Sequence, residues 1–157
     1  MLFRSLKNIK AREGIDIPYE DLAPAVHLLN QHRIDFSSAM DQSSLGANDN
    51  GIDAWYLALD GKLYIYQSKF STKISTVLKG LNDLERATKW LESFLCEPSN
   101  EEAIQIKNKS LRNLVKNTYE KRLEINEVEL CLLSSLPSDD IKSSKKWVES
   151  ANLGWFV

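Results

Sequence analysis

The sequence has only two cysteines, Cys96 and Cys131, far apart and with no C-x-x-C spacing or neighbouring histidine. That scarcity excludes a disulfide framework and a zinc knuckle, and both residues are expected to be buried thiols. No run approaches the about 18 uncharged apolar residues of a membrane helix, and Met1-Leu2-Phe3-Arg4 is too short for a signal-peptide core. A cytoplasmic protein with no membrane partner is therefore expected. Six glycines and four prolines in 157 residues exclude a collagenous or low-complexity chain, whereas 43% hydrophobic and 27% charged residues suit a globular one. No G-x-S-x-G, P-loop or H-E-x-x-H motif is present, which removes the usual hydrolase, nucleotide-binding and zincin readings. His27 and His32 are five apart and do not share a helix face as a zinc pair would. The length fits one domain, 1–157, and the closing Trp155-Phe156-Val157 reads as the start of a strand that continues into a longer protein.

The charge is unevenly spread. Residues 1–12 carry Arg4, Lys7, Lys10 and Arg12 and no acid, whereas Glu13 to Asp60 hold nine acids against Arg33 alone, a net of −8. Residues 61–122 carry twelve basic residues against seven acids, and the remainder is net −3. Carboxylates that hold a cation beside basic groups that meet phosphates would produce this pattern, and so would a solvated surface of uneven composition.

Leu2 to Arg12 reads as a short basic helix ended by Gly14. Asp21 sits where an N-cap belongs, before an apolar helix of about three turns with Pro24 in its first turn. Asp35 to Gly51 reads as a long Ser/Asn/Asp/Gly-rich loop. Ile52–Leu59 and Leu63–Phe70 are β-rich runs joined through Asp60-Gly61, and both are apolar on each face, as buried strands of a covered sheet are. Ile74 to Leu95 has helical spacing, with Glu97-Pro98-Ser99-Asn100 as its stop; a second helix is expected over Glu101–Leu123, a strand over Glu127–Ser135 and a helix over Asp139–Ala151. The order predicts an α/β fold: a mixed central sheet built on a β-hairpin and flanked by helices on both faces.

Alternate residues of a strand share a face, so Gln67 and Lys69 follow Leu63 and Ile65 on one side. Two polar groups at the end of a buried strand need a partner, because leaving them unpaired costs free energy. Asp53 on the companion strand reaches Gln67 only in one register. A two-residue Asp60-Gly61 turn sets Asp53 opposite Ser68, facing away; a three-residue Leu59-Asp60-Gly61 loop sets it opposite Gln67. In the second case, or with a bulge near Asp53, the Asp53 carboxylate, the Gln67 amide oxygen and the Ser68 backbone carbonyl form a hard-oxygen donor set suited to Mg²⁺, with Mn²⁺ as an alternative. Lys69 then stands beside the cation, able to orient or deprotonate an attacking water and to offset charge on a phosphodiester transition state. Gln67 is neutral, so another acid is expected; Glu20 is preferred over Asp21 and Asp49.

Gly51-Ile52-Asp53-Ala54, a hairpin, and Tyr66-Gln67-Ser68-Lys69-Phe70 resemble the PD-(D/E)xK nuclease superfamily in its QxK variant, most closely the N-terminal domain of AIPR-type abortive phage infection proteins. The resemblance implies a restriction-endonuclease-like fold and a Mg²⁺-dependent endonuclease that hydrolyses nucleic acid, with DNA the expected substrate, in antiviral defence. It assigns Asp53 as the metal-binding acid, Gln67 as the variant second ligand and Lys69 as the catalytic lysine. The sequence departs from the commoner pattern at Ile52, where Pro is usual, and at Gln67, where a carboxylate is usual. The competing reading is a non-enzymatic module of the same fold that binds nucleic acid or a protein. Lys109, Arg112 and Lys116 form a helical stripe that either contacts phosphates or is simply solvated. The pattern is compatible with a homo-oligomer and leaves the oligomeric state open.

Overall fold

The computed structural model describes residues 2–14, 16–43, 51–96 and 105–143. Helices α1 (Leu2–Glu13), α2 (Tyr19–His32) and α3 (Phe36–Asp41) precede the hairpin strands β1 (Ala54–Leu57) and β2 (Lys62–Lys69). Helices α4 (Ile74–Cys96) and α5 (Lys109–Glu120) lead to β3 (Glu127–Ser134), and α6 (Ser138–Lys142) follows. The sheet order is β1-β2-β3, with β1 antiparallel and β3 parallel to β2, so β2 is central. A parallel pair needs a crossover connection, and α4 and α5 lie on it.

Both faces of β2 are covered, as its doubly apolar pattern predicts. Leu63 and Ile65 pack with Trp55 of β1, Val77, Leu81 and Leu84 of α4, and Leu111 and Leu114 of α5. On the opposite face Tyr66 and Ala54 pack with Ala25 and Leu28 of α2 and Ala39 of α3. The result is a mixed sheet between two helical layers. Trp55 and Tyr66 are therefore core residues; Trp55 donates its indole N–H to the backbone and hydroxyl oxygens of Ser110 at 3.0 and 3.1 Å, fixing α5 beside β1. Cys131 is buried as expected, and burial, followed by the nearby Glu129, pushes its thiol up to about 12. The side chain of Cys96 lies outside the described residues.

Several boundaries differ from the sequence expectation. Helix α2 starts at Tyr19 with Pro18 as N-cap residue, so Asp21 lies inside its first turn and Pro24 inside its second. Leu22 N–H donates to Pro18 carbonyl at 3.1 Å, the first bond of the helix. Asp21 thus favours α2 by placing negative charge near the helix start rather than by capping it. The stretch from Asp35 is not wholly loop. Asp35 caps α3, accepting from Ser38 N–H at 2.9 Å and Ser38 hydroxyl at 2.8 Å, bonds that lower its carboxyl. Ser43 then bridges to Ala54. Gln105 is helical, but the chain leaves the helix over 106–108 and α5 begins at Lys109, where the Asn108 side chain accepts from Leu111 N–H at 3.2 Å. Residues 97–104, including the expected stop, and 144–157, including the rest of the last helix and Trp155-Phe156-Val157, lie outside the described residues. Among the described residues no helix is long and apolar enough to cross a membrane.

Candidate functional site

The hairpin adopts the register of the three-residue loop, but its ladder stops at Ala54 and does not pair Asp53 with Gln67. Its pairs are Ala54 with Tyr66, Trp55 with Ile65, Tyr56 with Tyr64 and Leu57 with Leu63. Ala58 N–H donates to Lys62 carbonyl at 2.9 Å and Gly61 N–H to Ala58 carbonyl at 3.1 Å, which closes a three-residue loop Leu59-Asp60-Gly61 with Gly61 at φ +89°. A positive φ at that place is why glycine stands there.

Beyond Ala54 the ladder departs from regularity. Asp53 N–H donates to Tyr66 carbonyl at 2.8 Å, although Tyr66 is already the register partner of Ala54, and the chain bends at Asp53. Strand β1 therefore ends before it can serve Ser68, whose N–H and C=O point to the β1 side because they follow those of Tyr66 by two residues. The Asp53 carboxylate takes that place. One oxygen, Oδ2, accepts from Ser68 N–H at 2.7 Å and from Ser68 hydroxyl at 2.8 Å. The Asp53 carboxylate thus meets Ser68, and Gln67 joins through the same residue: its amide Nε2 donates to Ser68 carbonyl at 3.3 Å.

That bond leaves the other amide atom stranded. Gln67 is 4% exposed, and its Oε1 is buried with no hydrogen-bond partner among the described residues. A buried acceptor left unmade costs about 1–3 kcal/mol, so it calls for a donor or a cation. With the Ser68 carbonyl and the Asp53 carboxylate grouped around one residue, the available atoms are hard oxygens, and their chemistry fits Mg²⁺ or Mn²⁺. The donor set is poor in charge: among the described residues no group of three His, Cys, Asp or Glu is placed to hold a metal ion. Glu20 belongs to the first turn of α2, but its side chain lies outside the described residues, as does Asp49. Leu22 of that turn packs in one cluster with Phe70, so the start of α2 lies at the Gln67–Phe70 end of β2.

Lys69 projects to the α4 side like Gln67. A Cβ built on Gly80 of α4 would lie 3.0 Å from Lys69 Cγ and 3.7 Å from Gln67 Cγ, so both stems rest on bare helix backbone. Lys69 Nζ pairs with Asp83 Oδ2 at 2.7 Å, and Asp83 Oδ1 meets Arg86 at 3.3 Å. The motif reading missed Asp83. A signal was present: a glycine inside a long helix costs about 1 kcal/mol against alanine and marks a close approach, and Asp83, three residues on, shares its face.

The basic stripe lies elsewhere on the surface. Lys109, Arg112 and Lys116 are exposed on the side of α5 turned from Leu111, Leu114 and Val115. Lys109 Nζ lies 3.5 Å from Asp41, and both line a cleft of about 360 Å³ between α3 and the start of α5.

Compared with known proteins, the chain matches no family model, no curated protein and no solved structure.

Proposed function

We propose that this chain is a metal-dependent nuclease acting on nucleic acid, with DNA as the expected substrate. The observation that carries the reading is the buried Gln67 Oε1 with no hydrogen-bond partner among the described residues, on an amide that donates to the carbonyl of the same Ser68 that Asp53 binds, with Lys69 on the strand face of Gln67. Mg²⁺ bound there would polarise a phosphodiester and make its bound water a better nucleophile. Asp53, Gln67 Oε1 and the Ser68 carbonyl are the groups that would hold it. Lys69 offsets the charge that grows on the phosphoryl oxygens as water adds to phosphorus and an ester P–O bond breaks. Leu132 and the α4 backbone at Gly80 pack against the stems of Gln67 and Lys69, and electrostatic effects are stronger beside such low-dielectric packing. A place in anti-phage defence rests on the sequence resemblance alone.

The test is cleavage of supercoiled plasmid and of single-stranded DNA with Mg²⁺ or Mn²⁺. Activity that a chelator abolishes and that Lys69→Ala reduces by at least a hundredfold is the expected result. The single carboxylate of the metal-donor set, Asp53, favours the second reading, a module that binds nucleic acid or a protein without turnover. Undiminished DNA binding with no cleavage by the wild-type chain under either metal would decide for that reading.

A further inference from the structure

We propose that Asp83 is a positioning residue of this same site: its carboxylate holds the Lys69 ammonium in place at the end of β2, and a substrate phosphate takes the ammonium over from it. The inference rests on the nuclease reading for what Lys69 is positioned to do, but its geometry stands independently. Lys69 and Asp83 pair at 2.7 Å with side chains 29% and 22% exposed, so neither end is freely solvated. Lysine has a flexible four-carbon stem, and a point charge on such a stem is useful to chemistry only where something fixes it. Here two things do. The stem lies over Gly80, where any larger residue would push it aside, and the ammonium meets Asp83 one turn further along α4.

Asp83 also governs the other branch of the site. A Cβ built on Gly51 would collide with the Asp83 backbone carbonyl, so the Gly51-Ile52-Asp53 turn rests directly on this residue. One residue of α4 therefore sets the spacing between the segment that carries Asp53 and the ammonium of Lys69. Its carboxylate serves two cations, Lys69 through Oδ2 and Arg86 through Oδ1, which leaves the trio one positive charge in excess. An ordinary structural ion pair has no need of that excess. A phosphate does, because it can displace a carboxylate from one member of a cationic pair while the other keeps the carboxylate neutralised.

The experiment uses the full chain with Asp83→Asn and Asp83→Glu. In the absence of nucleic acid, limited acetylation followed by mass spectrometry reads the reactivity of Lys69 against Lys73 as internal reference. Asp83→Asn should raise relative Lys69 labelling at least threefold, and Asp83→Glu, which keeps the charge, should stay within twofold of wild type. In plasmid cleavage Asp83→Asn should lower kcat at least tenfold with KM for DNA changed less than twofold, and Asp83→Glu should recover part of the loss. Unchanged Lys69 labelling in folded Asp83→Asn overturns the proposal, as does full cleavage activity in that variant. Should Asp83→Asn fail to fold, Asp83→Ser replaces it with the same criteria. A wild-type chain that cleaves nothing while Lys69 labelling still rises refutes the nuclease reading and leaves the positioning role standing.

Discussion

His32 carries a hydrogen bond and a stacking contact at once: its Nε2 lies 2.7 Å from the Tyr66 hydroxyl and its ring stacks on Tyr56 with centroids 4.0 Å apart. Burial is the main cause that lowers its pKa to about 4 from 6.5, helped by His27 and opposed by Glu129. Between those values the unfolded chain binds a proton that the folded chain refuses. The contribution of His32 to stability is thus full above pH 6.5 and is lost as the pH falls towards 4. Thermal melts across that window should show a falling Tm, and His32→Gln should flatten the decline. At this scale the sequence was readable where one strand carried the message: alternation alone placed Gln67 and Lys69 with Leu63 and Ile65. Asp83 was not readable from the motif, because its role depends on where a helix fourteen residues later crosses the strand.

Turns decide what the elements can do. Asp60-Gly61 suits two loop lengths, and the local sequence left the choice between them open. A distant contact makes it: Asn126 donates its side-chain amide to Asp60 carbonyl at 2.8 Å and its N–H to Gly61 carbonyl at 3.0 Å. The Glu124 carbonyl sits where a Cβ on Gly61 would be. Register therefore follows from tertiary packing, which no reading of residues 52–70 contains. The same limit applies to α2, whose start follows Pro18 rather than Asp21, and to α3, whose Asp35 cap was hidden in a polar stretch. Gly61→Ala, with φ +89° and no room, should cost more than about 1 kcal/mol in urea unfolding. Gly51→Ala, at φ +81° against Asp83, should also destabilise the chain and, on the proposed function, should abolish cleavage by displacing Asp53.

The whole molecule is organised around β2. Among the described strands it alone has another strand along each edge, and helices cover both of its faces. Breaking its hydrogen bonds requires opening most of the core, so the amides of Leu63–Gln67 should exchange with solvent more slowly than those of β1 or β3. Hydrogen exchange by NMR or mass spectrometry checks this; faster exchange in β2 than in β3 would contradict it. This layered plan was legible because doubly apolar strands and long amphipathic helices are whole-element patterns, insensitive to a boundary that slips by a few residues.

The early end of β1 has one more effect. At the rung beyond Ala54, an aspartate oxygen does what a main-chain carbonyl does elsewhere in a ladder, so on the proposed function architecture and chemistry share a single atom. On the proposed function, a change at position 53 therefore cannot silence the nuclease without also loosening the edge of the sheet. Lys69, whose charge is borne by a helix rather than by the ladder, can be altered with the edge left whole.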